Sequence, residues 1–118
     1  MASNHYQTIV QSITGKLKEF HKRIPDTMQG FNQLAKATHE EGALSRKQKE
    51  LMATAIAVAV RCEGCLGFHA QACVRQGVTR REFEEMLQVA IYMGGGPSAM
   101  TAAEAMMAFE EFGGEVAS

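Results

Sequence analysis

An all-α fold of about six helices is predicted from three observations in this 118-residue sequence. Apolar residues recur at three- and four-residue steps over most of the chain, the spacing that gathers side chains on one helical face. Hydroxyl residues followed three positions later by Gln or Glu, together with Gly and Pro, cut that pattern into helix-length pieces. No segment alternates convincingly with period two, so no strand is expected.

Residues 5 to 22 place Ile9, Ile13, Leu17 and Phe20 on one face and form the first helix. Pro25 and Asp26 restart the chain, and Met28, Phe31, Leu34 and Ala35 mark a second helix ending near Gly42. Ser45 with Gln48 is a capping-box pair that opens a third helix over 46 to 60. This helix is polar in its first turn and nearly all apolar after Glu50, which predicts a central, buried position. A fourth helix is expected from about Gly64 to Gln76, closed by Gly77 in the left-handed conformation. Thr79 with Glu82 starts a fifth through Phe83, Met86, Leu87, Ala90 and Ile91, which stops at "GGGP" (94 to 97). Pro97 suits the first turn of a sixth helix running to about Phe112. That helix is rich in Ala and Met, so it can approach another helix or another subunit closely. The eight methionines are read as core filling, and "GGGP" as a helix break rather than an anion site.

The length fits one domain over residues 1–118, with no internal repeat or linker. A net charge of -1 without a Lys/Arg cluster disfavours nucleic acid as a partner. The longest apolar run, "LMATAIAVAV" at 51 to 60, is far short of the roughly 20 residues of a membrane helix. The first residues are polar where a signal peptide would be apolar, so a cytoplasmic, reducing setting is expected. There a Cys-x-x-Cys pair is more often catalytic or metal-binding than a structural staple.

All three cysteines lie in "RCEGCLGFHAQAC", residues 61 to 73. On one helical turn the Cα atoms of Cys62 and Cys65 would lie about 5 to 6 Å apart, within disulfide range. At a helix start the free N–H groups and the macrodipole favour thiolate over thiol. His69 follows Cys65 by four residues and shares its face, the relation a general base needs with a thiol. Glu50 precedes Val60 by ten residues and His69 follows it by nine. If the third and fourth helices form an antiparallel pair reversing near Val60, the carboxylate and the imidazole come level; one straight helix would hold them roughly 28 Å apart. A carboxylate facing an apolar interior needs a partner, and His69 can bind it while its other nitrogen addresses the thiol.

The same residues also offer C-x2-C-x3-H-x3-C through Cys73, four candidate zinc ligands. On one helix the outer pair would be about 16 Å apart, too far for a tetrahedral ion. Cys73 is therefore read as a small core residue, and no metal or cofactor is expected. His5, His21 and His39 show no partnering pattern and are expected on the surface.

Glu50, Cys62, Cys65 and His69 stand in the order E-x11-C-x2-C-x3-H, which resembles the signature of the alkylhydroperoxidase D-like proteins of the carboxymuconolactone decarboxylase family. The likeness runs from Gly42 to about Ala105. It implies an all-helical fold with the Cys-x-x-Cys on a central helix pair, and a thiol peroxidase chemistry. Cys65 would attack a hydroperoxide and Cys62 would resolve the sulfenic acid as a disulfide. His69 with Glu50 would relay protons, and an external thiol or redox protein would reset the pair. The resemblance also implies a homohexamer built as a trimer of dimers, with a trimer as second choice. Two alternatives stay open: a decarboxylase-like enzyme on another small substrate, and a non-peroxidase disulfide-exchange or binding protein. The sequence departs from the namesake hydroperoxidase at Gly64, where that enzyme has a histidine. It departs from the decarboxylases in having the cysteine pair at all, which argues against lactone decarboxylation.

Overall fold

Helices α1 (His5–Arg23) and α2 (Pro25–His39) form an arm laid beside a bundle of four, α3 (Arg46–Val60), α4 (Glu63–Arg75), α5 (Arg80–Gly94) and α6 (Gly96–Glu111). The computed structural model describes residues 4–117; residues 1–3 and 118 of the expected domain lie outside the described residues. No strand occurs among the described residues, as expected. None of the described helices is long and apolar enough to cross a membrane.

Local chemistry explains several boundaries. Ser45 Oγ accepts from the Gln48 N–H at 3.1 Å while the Gln48 side chain accepts from the Ser45 N–H at 2.8 Å, and Thr79 and Glu82 repeat this at 3.1 and 2.9 Å. Both capping boxes are therefore complete. Gly77 closes α4 at φ 74°, where a side chain would be strained. Arg61 ends α3 in the same left-handed region, at φ 57°, and the Cys62 N–H returns to the Ala57 carbonyl at 3.2 Å. This two-residue reversal folds α4 back on α3.

The core is built from Val58, Leu66, Ala70, Phe83, Leu87, Ala105, Ala108 and Phe109, joined by Tyr6 from α1. Small residues let α6 come close: Ala102, Ala105 and Ala108 are all buried. The α1 helix lies equally hard against α4. A Cβ at Gly67 would stand 2.8 Å from Val10 Cγ2, and one at Gly64 only 2.7 Å from Ile13 Cδ1.

Three expectations need correction. The α2 helix stops at His39 rather than near Gly42, because Lys49 Nζ donates to the carbonyls of Thr38 and Glu40 and holds the chain in a turn toward α3. The α3 helix is buried on one side only. Glu50, Thr54, Ala57 and Val58 face inward, whereas Met52, Ile56 and Val60 are exposed, since α4, α5 and α6 cover a single face. Nor are the methionines uniformly core filling. Met86 is buried and Met106 packs against the core, but Met52, Met93, Met100 and Met107 are exposed, and Met1 lies outside the described residues. The α2 helix buries no residue and leaves Phe31 and Leu34 open.

Candidate active site

Cys62 is the N-cap of α4, and its Sγ accepts from the Cys65 N–H at 3.2 Å. The two cysteines are joined as a disulfide with their Cα atoms 5.2 Å apart, the separation expected of one helical turn. Both are half-buried. They sit where the unpaired N–H groups and the positive end of the helix stabilise a thiolate. Neighbouring charge is modest. Glu63 is met by His5 Nε2 at 3.2 Å, a solvent-exposed pair with little energetic consequence.

Glu50 is 5% exposed, and both of its oxygens are bound. Oε2 lies 3.0 Å from Nδ1 of His69, so the reversal at residues 61–62 does bring acid and imidazole together. Oε1 lies 2.7 Å from Nε2 of His39, whose Nδ1 is 2.6 Å from the Ala35 carbonyl. Burial by itself would push the Glu50 carboxyl up. Hydrogen bonds and charge from His69, and then from His39, outweigh it and hold the group below its ordinary value of 4.5. Because Glu50 is a carboxylate, His69 donates through Nδ1. With hydrogen on Nδ1, the neutral form of the ring has its lone pair on Nε2, on the helix face it shares with Cys65 one turn away.

This arrangement has a consequence for stability. A carboxyl whose folded pKa is depressed contributes fully above its unfolded pKa, and the contribution is lost as pH falls through the folded one. Glu50→Gln is expected to cost about 1–3 kcal/mol near neutral pH. The urea midpoints of parent and variant should then converge as the pH drops below about 4.5. A gap that widened in acid would contradict the assignment.

Cys73 is fully buried, with Sγ 3.4 Å from Thr54 Oγ1, and that hydroxyl donates to the Glu50 carbonyl at 2.7 Å. Burial pushes its thiol up to about 11, against a lowering contribution from Thr54 and with a smaller push from the Glu50 charge. It is a protonated, unreactive core thiol. Among the described residues no three His, Cys, Asp or Glu side chains are grouped to hold a metal ion.

The expectation that His39 lies on the surface without a partner is overturned. Its side chain is 35% exposed and its ring is bound at both ends. His5 is exposed as expected, but it is partnered by Glu63. His39 escaped detection because its contact depends on the turn between α2 and α3, which has no period. A donor count would have pointed to it. A buried carboxylate has two oxygens to satisfy, and His69 supplies one bond.

One cleft of about 390 Å³ is lined by Lys36, His39, Glu40, Glu41 and Arg46. A larger one of about 600 Å³, between the start of α5 and residues 115–117, is lined by none of Cys62, Cys65, His69 and Glu50.

The sequence model of the carboxymuconolactone decarboxylase family matches residues 25–108. An uncharacterized protein of Cupriavidus necator is 40% identical over 86 residues, 73% of this chain and 76% of its own length. Uncharacterized protein 4 of the cox locus in Paracoccus denitrificans is 31% identical over 84 residues, 71% of this chain and 76% of its own. A carboxymuconolactone decarboxylase family protein from Legionella pneumophila, solved in its apo form, superposes with a TM-score of 0.92 at 52% identity, covering 93% of this chain and 98% of that one. A family protein from Thermotoga maritima, for which involvement in an antioxidative response has been suggested, gives a TM-score of 0.77 at 28% identity, over 86% of this chain and 87% of that one.

Proposed function

This chain belongs to the carboxymuconolactone decarboxylase family, and on that premise we propose that it is a thiol-dependent peroxidase that reduces hydroperoxides through a Cys62/Cys65 dithiol–disulfide cycle. The observation that carries this reading is a disulfide-forming pair at a helix start, one turn from an imidazole oriented by a buried carboxylate. The antioxidative role suggested for the Thermotoga relative points the same way.

In the proposed cycle His69 Nε2 takes the Cys65 proton while Glu50 holds Nδ1. The thiolate attacks the terminal oxygen of ROOH, forming the S–O bond as the O–O bond breaks. The departing alkoxide receives the proton from His69 and leaves as ROH. The Cys62 thiol then attacks the sulfenic sulfur of Cys65, the S–S bond forms and water departs. A dithiol or redox protein returns two electrons and restores both thiols. Position 64 is a glycine in this chain, so no histidine there takes part in this scheme, and a Cβ at that position would stand 2.7 Å from the tip of Ile13.

The finer expectations are part of the same reading. The enzyme works in the cytoplasm as a homohexamer arranged as a trimer of dimers. Support comes from apolar residues left open on several elements, Phe31 and Leu34 on α2 and Tyr92, Met93 and Met100 around the α5–α6 turn.

Stoichiometric organic hydroperoxide added to the reduced protein is expected to consume two thiols per chain. Peptide mass spectrometry should find Cys62 linked to Cys65, and a dithiol should restore both. Thiols that survive the peroxide but exchange with a small disulfide would replace the peroxidase reading with one of disulfide exchange.

A further inference from the structure

His39 stands outside the E-x11-C-x2-C-x3-H pattern, at the last residue of α2 and eleven positions before Glu50. It nevertheless makes the shorter of the two bonds to that carboxylate, 2.7 Å against 3.0 Å for His69. The Ala35 carbonyl and the Glu50 carboxylate can only accept, so the His39 ring donates to both, through Nδ1 at 2.6 Å and through Nε2 at 2.7 Å. The backbone on either side is pinned as well. Lys49, the residue beside Glu50 on α3, donates to the carbonyls of Thr38 and Glu40. One turn of α3 thus grips both the main chain and the ring of His39.

A carboxylate held through one oxygen turns easily, because its terminal torsion is broad. A second bond from a fixed donor removes that freedom. We propose that His39 is a positioning residue of the dithiol centre: by holding Glu50 Oε1 it aims Oε2 at His69 Nδ1, and so sets which imidazole nitrogen is left to take the Cys65 proton. The proposal rests on the relay proposed above and adds a member to it from a different helix. His39 touches no reacting atom. Its other charged neighbours are Lys36, Glu40, Glu41 and Arg46, which line the cleft with it, and Lys49 on its flanking carbonyls.

The test reads Cys65 directly and needs no peroxide. The rate of Cys65 alkylation by iodoacetamide would be followed against pH in the reduced full-length chain, with peptide mapping to separate the three thiols. In His39→Ala the rate at neutral pH is expected to fall about tenfold, the consequence of losing one charge-assisted bond in the relay, with the pH midpoint moving up. His39→Gln, which keeps a donor of similar reach, should stay within about threefold of the parent. A His39→Ala profile within about twofold of the parent would overturn the proposal, as would equal losses in both variants. A purely structural role would lower the melting temperature and leave the profile in place. Should His39→Ala fail to fold, nitrogen-15 spectra of the parent decide. Hydrogen on both ring nitrogens of His39 and on Nδ1 of His69 is the expected result, and a His39 without hydrogen on Nε2 or a His69 protonated on Nε2 alone would refute it. A parent that ignores peroxide yet shows His39-dependent alkylation would sink the peroxidase reading and leave this inference standing.

Discussion

Serine in place of Cys65 is expected to lower hydroperoxide turnover by on the order of a thousandfold or more, the scale on which loss of a nucleophile acts. A thiolate is available at a helix start near neutral pH, whereas a serine hydroxyl there stays protonated and is a poor nucleophile toward a peroxide oxygen. The exchange is close to isosteric at a half-buried position, so circular dichroism should be unchanged. Activity measured as hydroperoxide consumption with a dithiol therefore reports chemistry rather than folding. Cys62→Ser should behave differently. Attack still occurs, the sulfenic acid on Cys65 finds no intramolecular partner, and dimedone should label one residue per chain after a single turnover. A Cys65→Ser protein that keeps its turnover would remove the assignment of the attacking sulfur.

The largest loss of stability is expected from Phe109→Ala. Phe109 and Phe83 are both fully buried, and their rings stack with centroids 4.4 Å apart. The chain after α6 folds over the Phe109 ring, where the Gly114 N–H returns to the Phe109 carbonyl at 2.8 Å. A Cβ on Gly114 would collide with that ring, so the site is packed on the loop side too. Truncation removes an aromatic side chain and leaves a cavity that rigid helices fill only in part, which costs about 3–5 kcal/mol. Against a total stability of about 5–15 kcal/mol this is severe. Thermal unfolding should shift down by roughly 10–20 °C. A shift of a few degrees would mean that the α5–α6 contact collapses onto the void.

Helix boundaries were legible where a side chain closes them locally. The Ser45/Gln48 and Thr79/Glu82 pairs and Gly77 act within a few residues of themselves, so their signal is written in the sequence. The end of α2 was not, because Lys49 sets it from another helix. Periodicity told which residues of α3 and α6 are apolar but not which would be covered. Ile56 and Met107 fit the pattern as well as Val58 and Ala108 do, and only the placement of neighbouring helices separates them. The meeting of Glu50 and His69 followed from two arms of nearly equal length about Val60. His39 depended on the path of a turn, which spacing does not encode.

The cross-link at the head of α4 joins residues three positions apart, and so short a ring restrains the denatured chain only slightly. On the loop-entropy account it contributes about 2 kcal/mol, where a hundred-residue ring would give about 4.7. The interior around Leu66, Phe83 and Phe109 is held by packing rather than by this link. In the proposed cycle, electron traffic at the sulfurs is thereby insulated from the architecture beneath, and the protein is expected to be charged and discharged many times without once coming apart.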